Sequence, residues 1–203
     1  MKSVYTLADL QAGLPGEDAI RLGVIGDPVA HSRSPEMQNA ALAAVGSELH
    51  YARFQISPND LSAALRAMET LGFLGVNLTV PHKAAALTLV DEAEPFARAV
   101  GAINTIAFRP GKRMGANTDG RGFERAIRES FGVTLTDLRV AILGAGGGAG
   151  QAVAAQCARA GCAALTLVNR DFAKAEALAQ RLRGPQIFAL PWSDDSLGEA
   201  LAQ

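Results

Sequence analysis

The strongest constraint on the fold is a glycine-rich run, GAGGGAG, between two segments of opposite character. The apolar segment before it (138–143) is typical of a buried strand, and the alanine-rich segment after it is typical of a helix. Gly144, Gly146 and Ala149 satisfy the pattern G-x-G-x-x-[GA], in which glycines allow a tight turn and a close approach to a pyrophosphate. The first N–H groups of the helix would bind the anion. The run therefore predicts a dinucleotide site made by Gly144, Ala145, Gly146, Gly147, Gly148 and Ala149, and a purely structural glycine turn is the alternative.

Strand-like runs alternate with helical patterns along most of the 203 residues. This alternation predicts an α/β fold with a mixed, mainly parallel sheet. Strands are predicted over 20–26, 49–56, 75–80, 138–143, 164–168 and 186–190, with a hairpin around Pro110-Gly111. Ser-Pro pairs predict helices that begin at Ser34 and Ser57, and Pro81 is predicted to begin another, because the first helical turn tolerates proline.

A helix predicted over 121–131 separates two expected domains. The first, residues 1–120, would be an α/β substrate-binding and catalytic domain. The second, residues 121–203, would be a Rossmann-like dinucleotide-binding domain with only the first half of the doubly wound sheet. We therefore expect the chain to be part of a longer protein.

Composition narrows the classes of function. A formal net charge of −1 argues against a nucleic-acid partner, and no apolar run reaches the ~20 residues of a membrane helix. No export signal is recognisable, and Cys157 and Cys162, in one apolar segment, favour packing in a reducing compartment. Neither His31 nor His82 has a companion at metal-ligand spacing, so no metal is expected. We expect a cytoplasmic protein with small-molecule partners, either a monomer or a homodimer.

The residues after the strand at 164–168 bear on which dinucleotide binds. An acidic residue there would bind the ribose 2′-hydroxyl of NAD, whereas an arginine accommodates the 2′-phosphate of NADP. Asn169 and Arg170 occupy the position, which favours NADP, and both are predicted to bind it. Asp171 would repel a phosphate and could serve NAD, or it is simply a charge at a helix N-terminus. NADP is preferred, and NAD stays open.

Two charged residues are candidates for chemistry. If Pro81 begins a helix, Lys83 lies in its first turn, where the helix dipole favours the neutral, proton-accepting amine. A surface lysine that packs its stem on the helix is the alternative. Asp119 is predicted on a turn just before the helix at 121–131. It is either a functional carboxylate or an Asx-turn or N-cap residue.

Neutral hydrogen-bonding side chains gather near other strand ends. The group that suits an uncharged polyol consists of Asn77, Thr79 and Asn104. Ser32 and Ser34 precede a predicted helix, where hydroxyls and backbone N–H groups can hold a carboxylate. Ser34 as a simple N-cap is the alternative.

Six motifs follow one another along the chain: GDPVAHSRSP, NLTVPHK, GAINT, NTDG, GAGGGAG and NR. In this order, over about residues 20–190, they resemble the shikimate dehydrogenase family. The resemblance implies the reversible reduction of 3-dehydroshikimate to shikimate with NADPH, a step of aromatic amino-acid precursor synthesis. It implies that Lys83 is the catalytic acid/base and that Asp119 is its partner on the reacting hydroxyl.

The resemblance also implies the binding roles. Ser32 and Ser34 would bind the substrate carboxylate. The ring hydroxyls would be held by Thr79, Asn104 and Asp119, with Asn77 in support, and NADP by residues 144–149 with Asn169 and Arg170. Asp171 departs from the family, which commonly has Thr or Ser there, and the stretch that completes the nicotinamide pocket, with a substrate-binding Gln, lies beyond residue 203. An NAD-using quinate/shikimate dehydrogenase and a non-catalytic shikimate-binding module are the alternatives.

Overall fold

A computed structural model of the chain describes residues 2–184, 186–193, 195 and 198. The chain divides into two compact units, residues 1–116 and 117–203. Each unit has its own sheet and helices, and the predicted α/β class with a mixed, mainly parallel sheet is confirmed. The boundary expected from the sequence lies at residue 120, and the assignment of a function to each unit stays a prediction. Among the described residues no helix is long and apolar enough to cross a membrane.

The first unit is built on a six-stranded sheet. Its strands are β1 (Ile20–Gly26), β2 (His50–Gln55), β3 (Gly75–Leu78), β4 (Glu92–Ala93), β5 (Thr105–Arg109) and β6 (Lys112–Ala116). They lie in the order β2-β1-β3-β5-β6-β4; β1 is parallel to β2 and β3, β4 is parallel to β6, and β5 runs antiparallel to both β3 and β6. The hairpin predicted around Pro110-Gly111 is confirmed, and Gly111 has the positive φ, 68°, that its turn requires.

The helices of the first unit are α1 (Leu7–Gln11), α2 (Ser34–Ala44), α3 (Leu61–Thr70) and α4 (Pro95–Val100). Short 3-10 helices occupy Pro58–Asp60 and Ala85–Thr88. The buried residues of α3 recur on one face: Leu61, Ala64, Leu65 and Met68. This face packs into the main core of the unit, where the ring of Phe54 contacts those of Tyr5 and Phe73 at centroid distances of 5.6 Å each.

Of the two helix starts predicted from Ser-Pro pairs, the one at Ser34 is confirmed and the one at Ser57 is displaced by four residues, to Leu61. Ser34 is the first residue of α2, and Arg33 holds the N-cap position, so the interpretation of Ser34 as the N-cap is wrong. Ser57 precedes the 3-10 turn at Pro58–Asp60, and the α-helix begins only at Leu61. In both cases proline is accommodated near the start of the helical segment, as expected from its missing N–H.

The prediction that a helix begins at Pro81 is wrong. Residues 80–84 form turns and lead into the 3-10 helix Ala85–Thr88. The carbonyl oxygen of Lys83 accepts a hydrogen bond from Ile103 N (2.8 Å). In an α-helix it would instead accept one from the N–H group four residues further along the chain. The argument that a helix dipole acts on Lys83 therefore does not apply.

The second unit has three parallel strands in the order β7-β8-β9. They are β7 (Arg139–Leu143), β8 (Ala164–Asn169) and β9 (Gln186–Pro191), and the helices are α5 (Asp119–Phe131), α6 (Gly148–Ala160) and α7 (Phe172–Arg181). Small side chains of α6 fill the core beside Leu165 and Leu167. Asp119, predicted on a turn, is the first residue of α5, and Thr118 holds the N-cap position.

His82 fastens the turns at 80–84 to the core of the first unit. Its ring is 1% exposed, and Nε2 lies 2.9 Å from the carbonyl oxygen of Ile56. Because a carbonyl only accepts, Nε2 carries the proton and donates. Burial lowers the pKa of His82, although the Ile56 carbonyl and the Asp27 carboxylate act in the opposite direction. The ring is therefore neutral, and its hydrogen bond to the Ile56 carbonyl oxygen holds residues 80–84 in place.

We expect the free energy of unfolding to fall as the pH drops below about 6.5, because unfolded His82 gains a proton at its ordinary pKa while the folded ring does so only at lower pH. His82→Gln should remove this part of the pH dependence. His50→Gln, at an exposed position of β2, should leave it unchanged. Urea unfolding at several pH values measures the slope, and a His82 variant with the wild-type slope would contradict the assignment.

Candidate active site

The predicted substrate-binding side chains of the first unit come from one edge of its sheet. The carboxyl ends of β1 and β3 lie at the same edge as the amino end of the antiparallel strand β5. Ser32 and Ser34 follow β1, Thr79 and Lys83 follow β3, and Asn104 precedes β5. Ligands of open α/β sheets bind outside the carboxyl ends of strands, so this edge is the natural place for a site.

Backbone hydrogen bonds hold these segments together. Asp27 N donates to the carbonyl oxygen of Val80 (3.0 Å), which ties the segment after β1 to the segment after β3. Leu78 N donates to the Asn104 carbonyl oxygen (2.8 Å), and the Ile103–Lys83 bond lies beside it. The structure thus brings together on one edge all of the first-unit residues that the sequence singled out.

The two serines are held by an arginine that sequence reasoning missed. Ser34 N donates to Ser32 Oγ (3.3 Å), so the two residues share one short turn. Arg53 Nε donates to the Ser32 carbonyl oxygen (2.8 Å), and Arg53 Nη2 donates to both carboxylate oxygens of Glu36 at 2.6 and 2.7 Å. The guanidinium lowers the pKa of Glu36 through that hydrogen bond. No local pattern in the sequence pairs Arg53 on β2 with this turn.

Two amide side chains, Asn104 buried and Asn77 half-buried, lie behind this edge. Asn104 is 7% exposed, and Asn77 on β3 donates from Nδ2 to Thr105 Oγ1 (3.0 Å) and to the Asn104 carbonyl oxygen (3.3 Å). Tyr51 donates its hydroxyl proton to Asn77 Oδ1 (2.8 Å), and burial raises the pKa of Tyr51, which keeps the hydroxyl neutral. The sequence did not predict that Tyr51 and Thr105 take part in these hydrogen bonds. For Thr105 the one available signal was that it directly follows Asn104.

Asp119 belongs to the second unit and Lys83 to the first. Asp119 N donates to Asn117 Oδ1 (3.1 Å), and Asn117 is 1% exposed. Asn117 therefore fixes the start of α5 and the backbone of Asp119. In the sequence, Asn117 was noted only as part of the NTDG motif. Both Asp119 and Lys83 are half-buried, so each side chain is accessible to a small molecule.

The glycine run of the second unit forms a tight turn between β7 and α6. Gly144 has φ of 87°, and the N–H groups of Gly144 and Ala145 both donate to the Val168 carbonyl oxygen, at 2.8 and 3.1 Å. Gly146 N donates to Asn169 Oδ1 (3.1 Å), while Asn169 Nδ2 donates to the Asp171 carbonyl oxygen (2.9 Å). Asn169 thus braces the turn against the end of β8, in addition to its predicted place at the cofactor.

The turn is closely packed at two glycines, and the helix N-terminus beside it is exposed. A Cβ atom on Gly146 would lie 2.9 Å from Asn169 Nδ2 and 2.9 Å from Lys174 Cβ, and one on Gly150 would lie 2.5 Å from the Gly144 carbonyl oxygen. Residues 147–149 are exposed at the N-terminus of α6, where the first N–H groups lack intrahelical partners. The tightest approach between turn and helix occurs at Gly150, which the motif pattern did not include.

Three charged side chains follow β8. Arg170 is exposed beyond the strand, and Asp171 holds the N-cap position of α7 without a side-chain cap hydrogen bond. Lys174 Nζ lies 3.5 Å from Asp171 Oδ2, so the carboxylate has a cation beside it. Lys174 was missed from the sequence, although its position three residues after Asp171 on a helix is the usual signal for such a pair.

Two family models match most of the chain between them. The family model "Shikimate dehydrogenase substrate binding domain" matches residues 24–106, and "Shikimate / quinate 5-dehydrogenase" matches residues 125–202. A shikimate dehydrogenase (NADP(+)) from Geobacter metallireducens is 45% identical over 163 residues. The chain belongs to the shikimate dehydrogenase family. The match covers 80% of the chain but 57% of that relative, so the chain spans little more than half the relative's length.

Solved structures of the shikimate dehydrogenase family share the fold. A shikimate 5-dehydrogenase from Thermus thermophilus, in complex with NADP(H) and shikimate, has a TM-score of 0.74 and 39% identity over 81% of this chain and 62% of its own. A quinate dehydrogenase from Corynebacterium glutamicum, in complex with NAD, has a TM-score of 0.76 and 34% identity over 85% and 64%. The family resemblance read from the six motifs is confirmed.

Gly150→Ala should destabilise the chain by about 1–3 kcal/mol, because the new Cβ would meet main-chain atoms that cannot rotate away. Gly122→Ala is the matched control: it adds the same methyl group near the start of a helix, α5, but no atom lies within 4 Å of the new Cβ. Urea unfolding measures both. Equal stabilities for the two variants would show that the turn and α6 are not packed as described.

Proposed function

We propose that this chain carries the substrate site and part of the cofactor site of an NADP-dependent shikimate dehydrogenase, which interconverts 3-dehydroshikimate and shikimate. One observation carries the proposal: a polar edge in the first unit and a glycine cradle in the second occur together and in the family's order. The buried free cysteines, with the pKa of Cys157 raised by burial to about 12, favour a reducing, cytoplasmic location.

Shikimate is a carboxylate with three ring hydroxyls, and the first unit offers groups for both parts. Ser32 and Ser34 would bind the carboxylate, since their turn directs hydroxyls and backbone N–H groups to the start of α2. The ring hydroxyls would be bound by Thr79 and Asn104, with Asn77 behind them, and the family resemblance adds Asp119 of the second unit. Neutral amides and hydroxyls suit such a ligand, because they can both donate to and accept from its hydroxyl groups.

Lys83 would move the proton of the reacting hydroxyl. In the oxidation of shikimate its neutral amine takes that proton, and in the reverse direction the ammonium returns it. The nicotinamide, when bound, supplies or accepts the hydride. Asp119 would accept a hydrogen bond from the same hydroxyl and orient it. The turn that carries Lys83 is held at its carbonyl by Ile103 and through the neighbouring ring of His82, so the backbone of the base is rigid.

The cofactor would be NADP. Residues 147–149 would bind its pyrophosphate at the start of α6, and Arg170 would bind the 2′-phosphate. Asp171 argues against a phosphate beside it, but the ammonium of Lys174 at 3.5 Å offsets part of that charge. Arg170 then leaves the group with a net positive charge, which favours the phosphorylated cofactor.

An NAD-using quinate/shikimate dehydrogenase is the second candidate. Asp171 favours it, since a carboxylate at this place can accept a hydrogen bond from a ribose 2′-hydroxyl. The quinate dehydrogenase from Corynebacterium glutamicum, solved with NAD, covers 85% of this chain at 34% identity.

Lys83→Ala should lower the rate of shikimate oxidation about 10²–10⁴-fold while shikimate binding is largely retained, because a positioned proton acceptor is lost but the hydroxyl-binding groups are not. Lys112→Ala, which removes an exposed lysine of the same unit, is the control and should keep the wild-type rate. Initial rates from NADPH absorbance and calorimetric titration with shikimate give the two quantities. A wild-type chain that neither turns over nor binds shikimate would contradict the proposed function.

Arg170→Ala should weaken NADP binding about 10–100-fold and change NAD binding little, because only NADP has the 2′-phosphate that the guanidinium would contact. Calorimetric titrations with both dinucleotides test this directly. Equal losses for the two would remove Arg170 from the phosphate site and leave the NAD-using candidate ahead.

A further inference from the structure

Four side chains of the first unit form one directed line of hydrogen bonds. Tyr51 lies on β2, Asn77 on β3 and Thr105 on β5, and the line ends at Asn104. The distances are 2.8 Å from Tyr51 OH to Asn77 Oδ1, 3.0 Å from Asn77 Nδ2 to Thr105 Oγ1 and 2.9 Å from Thr105 Oγ1 to Asn104 Oδ1. Tyr51 is 4% exposed and Asn104 7%, so both ends of the line are buried, while Asn77 and Thr105 between them are half-buried.

The direction of the line is set by a backbone carbonyl. Asn77 Nδ2 also lies 3.3 Å from the carbonyl oxygen of Asn104, a group that can only accept. The NH2 end of the Asn77 amide must therefore face β5, and its oxygen must face Tyr51. Tyr51 in turn must donate, which it can do because burial keeps its hydroxyl protonated.

The same constraint passes to Thr105. Its hydroxyl accepts from Asn77 Nδ2, and it has a single proton, which it donates to Asn104 Oδ1. The oxygen of the Asn104 side chain is thereby turned toward Thr105, and the NH2 group lies at the other end of the amide. Reversal of the Asn77 amide would place its oxygen against the Asn104 carbonyl oxygen, two acceptors in contact, and reversal of the Asn104 amide would deprive the Thr105 proton of its acceptor.

We infer that Tyr51 and Thr105 are positioning residues that orient the Asn104 amide, so that Asn104 offers its NH2 group, a donor, to a ring hydroxyl oxygen of the substrate. The inference rests on the proposed function for the identity of the ligand. It makes this contact selective for an oxygen with an available lone pair, either a hydroxyl or a carbonyl. A ligand with hydrogen in that place could not accept from the oriented donor.

The orientation itself can be tested without a ligand. In 15N–1H NMR spectra of the chain, the Asn104 side-chain NH2 resonances, assigned with Asn104→Asp, should shift or broaden in Thr105→Val and in Tyr51→Phe. Thr105→Ser, which keeps the hydroxyl, should restore them. Thr88→Val makes the same change at an exposed threonine of the unit and should have no effect. Unmoved Asn104 resonances in both Thr105→Val and Tyr51→Phe would overturn the inference.

The consequence for binding is tested by calorimetry with shikimate, 4-deoxyshikimate and 5-deoxyshikimate. Thr105→Val should weaken shikimate binding about tenfold, whereas Thr105→Ser should stay near the wild type. For the deoxy compound that lacks the hydroxyl facing Asn104, wild type and Thr105→Val should bind equally. Equal losses for all three ligands would overturn the inference, because a general loosening of the site would explain them. A wild type that binds none of the three would count against the proposed function, and the NMR spectra would then decide the orientation alone.

Discussion

The first unit depends on the pairing of β3 with the antiparallel strand β5. Because β5 runs in the opposite sense to β1 and β3, its amino end meets their carboxyl ends, and Asn104 arrives beside the turn that carries Lys83. The bonds from Leu78 N to the Asn104 carbonyl and from Ile103 N to the Lys83 carbonyl, both 2.8 Å, hold the two segments in register. A fully parallel sheet would place the start of that strand at the far edge.

The two units solve different physical problems. In the proposed function the first unit would present neutral groups to an uncharged ring, so the direction of each donor and acceptor would matter, and buried partners such as Tyr51 supply that direction. The second unit would bind a charged cofactor, so close approach of the backbone matters more. The glycine turn of the second unit allows close approach because its glycines have no side chains. Asn169, at the end of β8, holds this turn in place.

Regular elements followed from the sequence, while the details of the site did not. The bounds of β1, residues 20–26, agree with the prediction because an apolar run between turn residues is a local signal. Pro81 misled because the carbonyl of Lys83 bonds to Ile103, twenty positions later, and no local pattern encodes that bond. Arg53 and Tyr51 were missed for the same reason: both lie on β2, and only the strand order β2-β1-β3 brings them near the other residues.

The crowding around Gly150 has a consequence for how this sequence can drift. The atoms nearest a Cβ at that position are the Gly144 carbonyl oxygen and the Ala145 Cα, which every residue type possesses. No substitution elsewhere in the chain can remove these main-chain atoms, so none can compensate for a side chain at position 150. At Gly146 the crowded atoms are Asn169 Nδ2 and Cγ, which an exchange of that residue can remove, and Lys174 Cβ, which only glycine lacks. Homologues should therefore be nearly invariant at position 150, whereas position 146 should covary with the residues that crowd it.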